Sequence, residues 1–223
     1  MEVTTMVNKP AMIDKPAMSE LISRSFVNYR AEENDEGSLI VGTPIVFDTP
    51  TDIGGMWEET IVKGAISEEI LKDVAFFYNH DLNTKPIART RTGKLQLTLT
   101  DKGVDMKAVV NRNRQDVNDL YLAIEDGDID GMSFMFRVEE DEWYDLDSEY
   151  PKRKIKKIGY IQEVSAVNYP AYASTNINAR SSTLDSEEEL RKTLDSVKEQ
   201  RKLLDSNKAL ELEKEKLLTL YKI

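Results

Sequence analysis

Short runs rich in apolar, β-branched and aromatic residues recur along much of this chain, several of them with a period of two, and no other feature restricts its fold as much. Alternation of that kind sends successive side chains to opposite faces of a sheet. Ser38–Phe47 (SLIVGTPIVF), Trp57–Val62 (WEETIV), Val74–His80 (VAFFYNH), Met132–Glu140 (MSFMFRVEE) and Gly159–Val167 (GYIQEVSAV) all read as strands, with weaker signals at Phe26–Arg30 and Arg153–Ile158. Lys94–Leu99 and Val104–Val110 flank Thr100-Asp101-Lys102-Gly103, which predicts a hairpin. The Gly-Thr-Pro inside the first run predicts a bend or an edge. Thr49–Gly55 reads as a loop and Glu139–Glu149 as an acidic, mobile segment. Ala65–Asp73 predicts a short helix. Gln115–Glu125 predicts the main helix of the body, with Val117, Leu120, Tyr121 and Ile124 on one apolar face. Many strands and few helices imply an α+β domain, a barrel-like, mostly antiparallel sheet with helices packed outside it.

The character changes towards the end. From Leu184 the sequence is charge-dense and free of Gly and Pro. Ser186 followed by Glu189 is a capping-box pattern. Leu190, Leu194, Val197 and Leu204 lie near one seam, while Leu203, Leu210 and Leu217 follow a heptad in another register. Two registers argue against one continuous coiled coil and for a long helix that self-associates or binds a partner. The triplet Leu-Asp-Ser recurs from Leu184, Leu194 and Leu204 at a spacing that suits neither a heptad nor a helical face. At the other end, KPAM occurs at Lys9–Met12 and again at Lys15–Met18. The division expected is a flexible leader over 1–20, one body over 21–178 and a charged helical tail over 179–223.

Composition narrows the functions open to such a chain. At 223 residues it can bury one good core. No apolar run is long enough to span a bilayer, and the start lacks a signal peptide's basic flank and apolar stretch. A soluble protein of a cytoplasmic space, with no membrane partner, is the expectation. With no cysteine, disulfides, thiolate metal sites and cysteine nucleophiles are excluded; with one histidine, so are zinc sites built on several imidazoles. The tail holds ten cations and ten anions, so the whole net charge of −11 falls on residues 1–178. An acidic body repels phosphate backbones, which argues against nucleic acid.

Glu125–Phe134 (EDGDIDGMSF) carries the first half of a calcium-loop pattern from Asp126 to Gly131. The ion also needs a bidentate carboxylate at the loop's twelfth position. Arg137 stands there, and the flank alternates like a strand where a helix should follow. A helix-to-strand turn, with Gly127 and Gly131 taking unusual dihedrals, is the better reading. In the strand beyond it, Phe134, Phe136 and Val138 share a core face. Ser133, Met135 and Arg137 share the other, so Ser133 is expected to be accessible to a substrate. His80 closes an aromatic strand, and imidazole is the side-chain type suited at neutral pH to act as base for a hydroxyl. Glu163 is expected on one face with Ile161 and Ser165, placed to hold an imidazole. Each has a plainer alternative: a solvated serine, a surface or packed histidine, a salt-bridged glutamate.

Three segments in order, TDIGGMWEETIVKGAI with FFYNHD, then IEDGDIDGMSFMF, then IQEVSAVNYPAYASTNI, carry a more specific message. Over about residues 24–178 the chain resembles the prohead proteases of tailed bacteriophages, capsid-maturation serine proteases thought to share a fold with the herpesvirus assemblins. The resemblance implies that Ser133 is the nucleophile, His80 the general base and Glu163 the orienting acid, with Asp81 and Ser165 as rivals for the third role. Met135 departs from the small residue expected after Ser133-Phe134, and is expected to narrow the substrate groove. No metal or cofactor is implied. The implied substrates are the scaffolding part of the major capsid protein, scaffold chains and the protease itself, inside the assembling prohead in the host cytoplasm. Two other readings stand beside it: a scaffolding or assembly protein with little catalysis, which the tail favours, and a small hydrolase unrelated to capsids.

Overall fold

The computed structural model describes residues 11–12, 22–27, 29–34, 37–168 and 187–220. In chain order the strands are β1 (Ala11–Met12), β2 (Ile22–Val27), β3 (Tyr29–Asn34), β4 (Gly37–Val46), β5 (Thr51–Ile53), β6 (Trp57–Ile61), β7 (Ala75–Tyr78), β8 (Ala88–Arg89), β9 (Leu95–Leu99), β10 (Gly103–Val109), β11 (Gly131–Tyr144) and β12 (Lys152–Val167). The helices are α1 (Gln115–Glu125) and α2 (Glu187–Leu220). Of the leader, only Ala11 and Met12 are described, paired with the far end of β11. The rest of the leader and Ser186 of the capping-box pattern lie outside the described residues.

The strands form two sheets. One runs β3-β4-β10-β9 and is antiparallel throughout. The other is built on the long antiparallel ribbon of β11 and β12. β1 and β2 pair along the free edge of β11, and β6 and β7 pair in parallel with opposite ends of β12. Among the described residues no pairing closes these sheets into a barrel. They face each other across one core instead. Ile40, Ile45, Val104, Met106 and Ala108 come from the first sheet and Phe134, Phe136, Ile158, Ile161 and Val164 from the second. α1 buries Val117, Leu120, Tyr121 and Ile124 in the same core, the face its spacing predicts.

The Gly-Thr-Pro of β4 bends the strand, as expected, without ending it: three steps of β4 (Gly42 to Ile45) oppose two of β10 (Val104 to Met106), a bulge, and β3 pairs with β4 only as far as Gly42. Several expectations need correction. Within the predicted loop at 49–55, β5 adds a strand to β6. The helix expected over Ala65–Asp73 is a single 3-10 turn, Glu68–Leu71, whose preceding Ser67 makes no capping bond; so short a segment does not sustain an α-helix. The acidic stretch from Glu139 is strand as far as Tyr144, held by pairing with β12. Gly127 takes a left-handed φ of 81° in the turn after α1, whereas Gly131 is the first extended residue of β11.

The described part of the tail is one helix, α2, and its first seam docks on the body. Leu190 and Val197 are buried with Ile53, Trp57, Trp143 and Leu146, and Leu194 and Leu204 pack alongside. Gly54 permits the approach: its φ is +60°, and a Cβ there would lie 3.0 Å from Leu190 Cδ1. The second register, Leu203, Leu210 and Leu217, is exposed.

Candidate active site

His80 is presented by a strained turn. β7 ends at Tyr78, and Asn79 and His80 both take left-handed φ values, 50° and 58°. That region is uncommon for residues with a Cβ and is held only where surrounding contacts over-determine it. Here Asn79 N donates to the Ala166 carbonyl at 2.8 Å and His80 N donates to Ser165 Oγ at 3.2 Å. Asn79 Oδ1 in turn accepts from Asn168 N at 3.0 Å. The turn is thereby fastened to the end of β12, and the imidazole swings over Glu163.

Glu163 reaches that position through a bulge. Met135 pairs with Glu163 but Phe136 pairs with Ile161, so β12 carries one extra residue there. Ile161 consequently joins the core with Phe136, while Glu163 stays on the face of Ser165. The expectation that Ile161 and Glu163 share a face is therefore wrong, and the bulge is the reason. Glu163 Oε1 lies 2.6 Å from His80 Nδ1, and Oε2 accepts from the Ser165 hydroxyl. A carboxylate on Nδ1 fixes the proton there and leaves Nε2 as an acceptor. Asp81 does something else: its Oδ1 accepts from Asn83 N at 3.0 Å and closes the following turn.

Ser133 is on the predicted face but is not open to solvent. Its relative exposure is 0%, and β2 pairs along β11 beside it with Ser25 opposite Ser133. Met135, opposite Ser23, is buried under β2 as well. Between the imidazole and the nucleophile candidate stands a hydroxyl that sequence reasoning missed. Ser23 Oγ is 3.1 Å from His80 Nε2 and 2.8 Å from Ser133 Oγ, and Ser133 Oγ is 2.9 Å from the Arg24 carbonyl oxygen. Two hydroxyl protons serve these three contacts. When Ser133 donates to Ser23 and Ser23 to Nε2, a continuous path runs from Ser133 to the base.

Beside this relay lies a buried ion cluster. Arg24 donates from Nε and Nη2 to the two oxygens of Glu59, the second at 3.0 Å. Arg153 Nη1 reaches Glu59 Oε2 at 2.9 Å, and its Nε and Nη2 reach Asp141 Oδ2 at 2.7 and 2.6 Å. All four residues are buried. Burial pushes the Glu59 carboxyl up, but the guanidiniums of Arg24 and Arg153 outweigh it and hold the pKa at about 2. One signal for Glu59 was in the sequence: in WEETI it alternates with Trp57 and Ile61, which are both buried. A carboxylate at the inward position of a strand needs a cation. Arg24, ahead of the weak strand signal at Phe26–Arg30, gave no comparable cue.

Hydroxyl, imidazole and buried carboxylate, connected in that order, are the parts of a serine hydrolase site, able to activate an alcohol for acyl transfer. The family follows from comparison of sequences. The caudovirus prohead serine protease family matches residues 25–189, and the chain belongs to it. The prohead protease of Enterobacteria phage HK97 is 26% identical over 153 residues, which cover 69% of this chain and 64% of the phage protein. The chain thus spans less than two thirds of that relative's length. No solved structure matches it.

Proposed function

We propose that this chain is a capsid-maturation serine endopeptidase in which Ser133 is the nucleophile, His80 the general base and Glu163 the orienting acid. The observation that carries the reading is the linked geometry: Glu163 2.6 Å from Nδ1 of a strained His80, and Nε2 joined to Ser133 through one hydroxyl. Ser133 Oγ attacks a peptide carbonyl carbon as its proton passes to His80. The imidazolium, stabilised by Glu163, returns that proton to the leaving amine. Water then enters by the reverse path and hydrolyses the acyl-enzyme. Family membership supports the substrates: the scaffolding segment of the major capsid protein, scaffold chains and the protease itself, met inside the assembling prohead in the host.

An additional assembly role is favoured by one feature, the outward Leu203, Leu210 and Leu217 of α2, a surface suited to another helix. Coexpression with the cognate capsid protein separates catalysis from assembly. Wild type is expected to shorten the capsid chains, and Ser133→Ala to leave them full length while still entering particles. Equal shortening by both removes Ser133 from the chemistry.

A further inference from the structure

β2 lies against the catalytic strand as a peptide would. It pairs antiparallel with β11 from Gly131 to Phe136, with Arg24 opposite Phe134 and Ser25 opposite Ser133. Extended pairing of this kind is how a strand is recognised by its backbone, with alternate side chains read in pockets. The Arg24 carbonyl oxygen sits 2.9 Å from Ser133 Oγ, and the side chain of the preceding residue, Ser23, sits 3.1 Å from the imidazole. The first contact is a hydrogen bond in which the Ser133 hydroxyl donates to that oxygen; it holds the Arg24 carbonyl beside Ser133, and Oγ must turn from the oxygen onto the carbonyl carbon before it can attack.

The Arg24 side chain fills a site built for it. Glu59 grips its guanidinium at two points, and Nη1 turns back to the Ser23 carbonyl at 2.6 Å. Take Arg24 away, and the three described residues around it, Glu59, Asp141 and Arg153, carry one net negative charge between them. In a buried setting that imbalance strongly favours a cation, and a fork facing a carboxylate favours arginine over lysine. A purely structural ion cluster explains the buried charges. It does not explain why the residue it holds also presents its carbonyl to the nucleophile.

We propose that β2 occupies the substrate groove, that Glu59 backed by Arg153 and Asp141 forms the pocket selecting an arginine just before the scissile bond, and that Arg24–Ser25 is the bond of this chain held there. The proposal rests on the protease reading above. In the step, Ser133 Oγ bonds to the Arg24 carbonyl carbon and the bond to Ser25 N breaks. The Ser133 proton travels by His80 to the departing amine of Ser25. Water then cleaves the ester, giving an Arg24 carboxylate and a free Ser133. Departure of the segment ending at Arg24 takes Ser23 with it, opens the groove to other chains and leaves Ser133 to pass its proton to His80 with no Ser23 hydroxyl between them, so the same contact acts as a latch.

The test uses full-length wild type and Ser133→Ala, coexpressed with the capsid protein, and two synthetic peptides. One peptide has the sequence of residues 19–30; the other carries Gln in place of Arg24. Chain-end sequencing of wild type should give a new amino terminus at Ser25, absent from Ser133→Ala and from Arg24→Gln. The arginine peptide should be cut between Arg24 and Ser25 with kcat/KM about 100-fold above the glutamine peptide. Glu59→Gln, checked for folding by circular dichroism, should erase that difference; if it does not fold, the peptide comparison in wild type stands alone. Ser133-dependent shortening of the capsid protein with equal turnover of both peptides, or with a cut of this chain before β3 at a bond other than Arg24–Ser25, overturns the pocket and leaves the protease standing. Absence of any Ser133-dependent cleavage overturns both.

Discussion

The ion cluster makes a prediction whose size follows from its charges. Among the described residues, Arg24, Glu59, Arg153 and Asp141 bring two cations and two anions together, each buried. Glu59→Gln leaves two guanidiniums against one carboxylate; Arg24→Gln leaves two carboxylates against one guanidinium. Each single change strands one charge in the interior, and breaking a buried pair costs about 3–5 kcal/mol. The double variant restores neutrality through Arg153 and Asp141, so its loss should fall well short of the sum. The fall of the Glu59 pKa from 4.5 to about 2 sets the scale, on the order of 3 kcal/mol of differential interaction. Urea unfolding of the four chains, all in a Ser133→Ala background to prevent self-cleavage, should yield a coupling energy of about 2–4 kcal/mol. Losses that simply add, within about 0.5 kcal/mol, would refute the claim that Arg24 and Glu59 neutralise each other in a buried site.

The same carboxyl fixes a pH dependence. The folded pKa of Glu59 is depressed, so its contribution is complete above about pH 4.5 and is lost as pH falls towards 2; acid titration of the unfolding free energy should show that loss, and Arg24→Gln should shrink it. Glu163→Gln keeps the side chain's shape but removes the charge facing Nδ1. It should lower kcat by about 100-fold or more with a smaller change in KM, and a change in KM alone would mean that Glu163 only binds substrate. The chain's two tryptophans, Trp57 and Trp143, both lie under α2. Val197→Asp puts a charge in that contact, so tryptophan emission should shift to the red with a loss of about 1.5–3 kcal/mol of burial energy; unchanged emission would show that α2 does not dock there in solution.

Local pattern foretold the elements it governs. α1 has the bounds and the buried face that its spacing predicts, because a core-facing helix must repeat every three to four residues. The seam of Leu190, Leu194, Val197 and Leu204 was equally legible, but the Trp57–Trp143 surface it covers comes from distant strands and had no local mark. Period-two reasoning found β11 and chose its core face correctly, yet it could not see the bulge that parts Ile161 from Glu163. Nor could it tell that Ser133, on the right face, is shut in by β2. His80, Ser133 and Glu163 were named through family resemblance, and their proximity is a matter of strand register. Ser23 and Arg24 went unnoticed because a short polar strand near a chain end resembles any leader. Their meaning lies wholly in what they touch.

The most direct measurement is intact mass over time for wild type, His80→Ala and Ser133→Ala, purified and incubated alike. Wild type should lose mass in discrete steps, while both variants stay at full length and remain folded by circular dichroism. The same fragments from Ser133→Ala as from wild type would show that another group, or another protein, does the cutting.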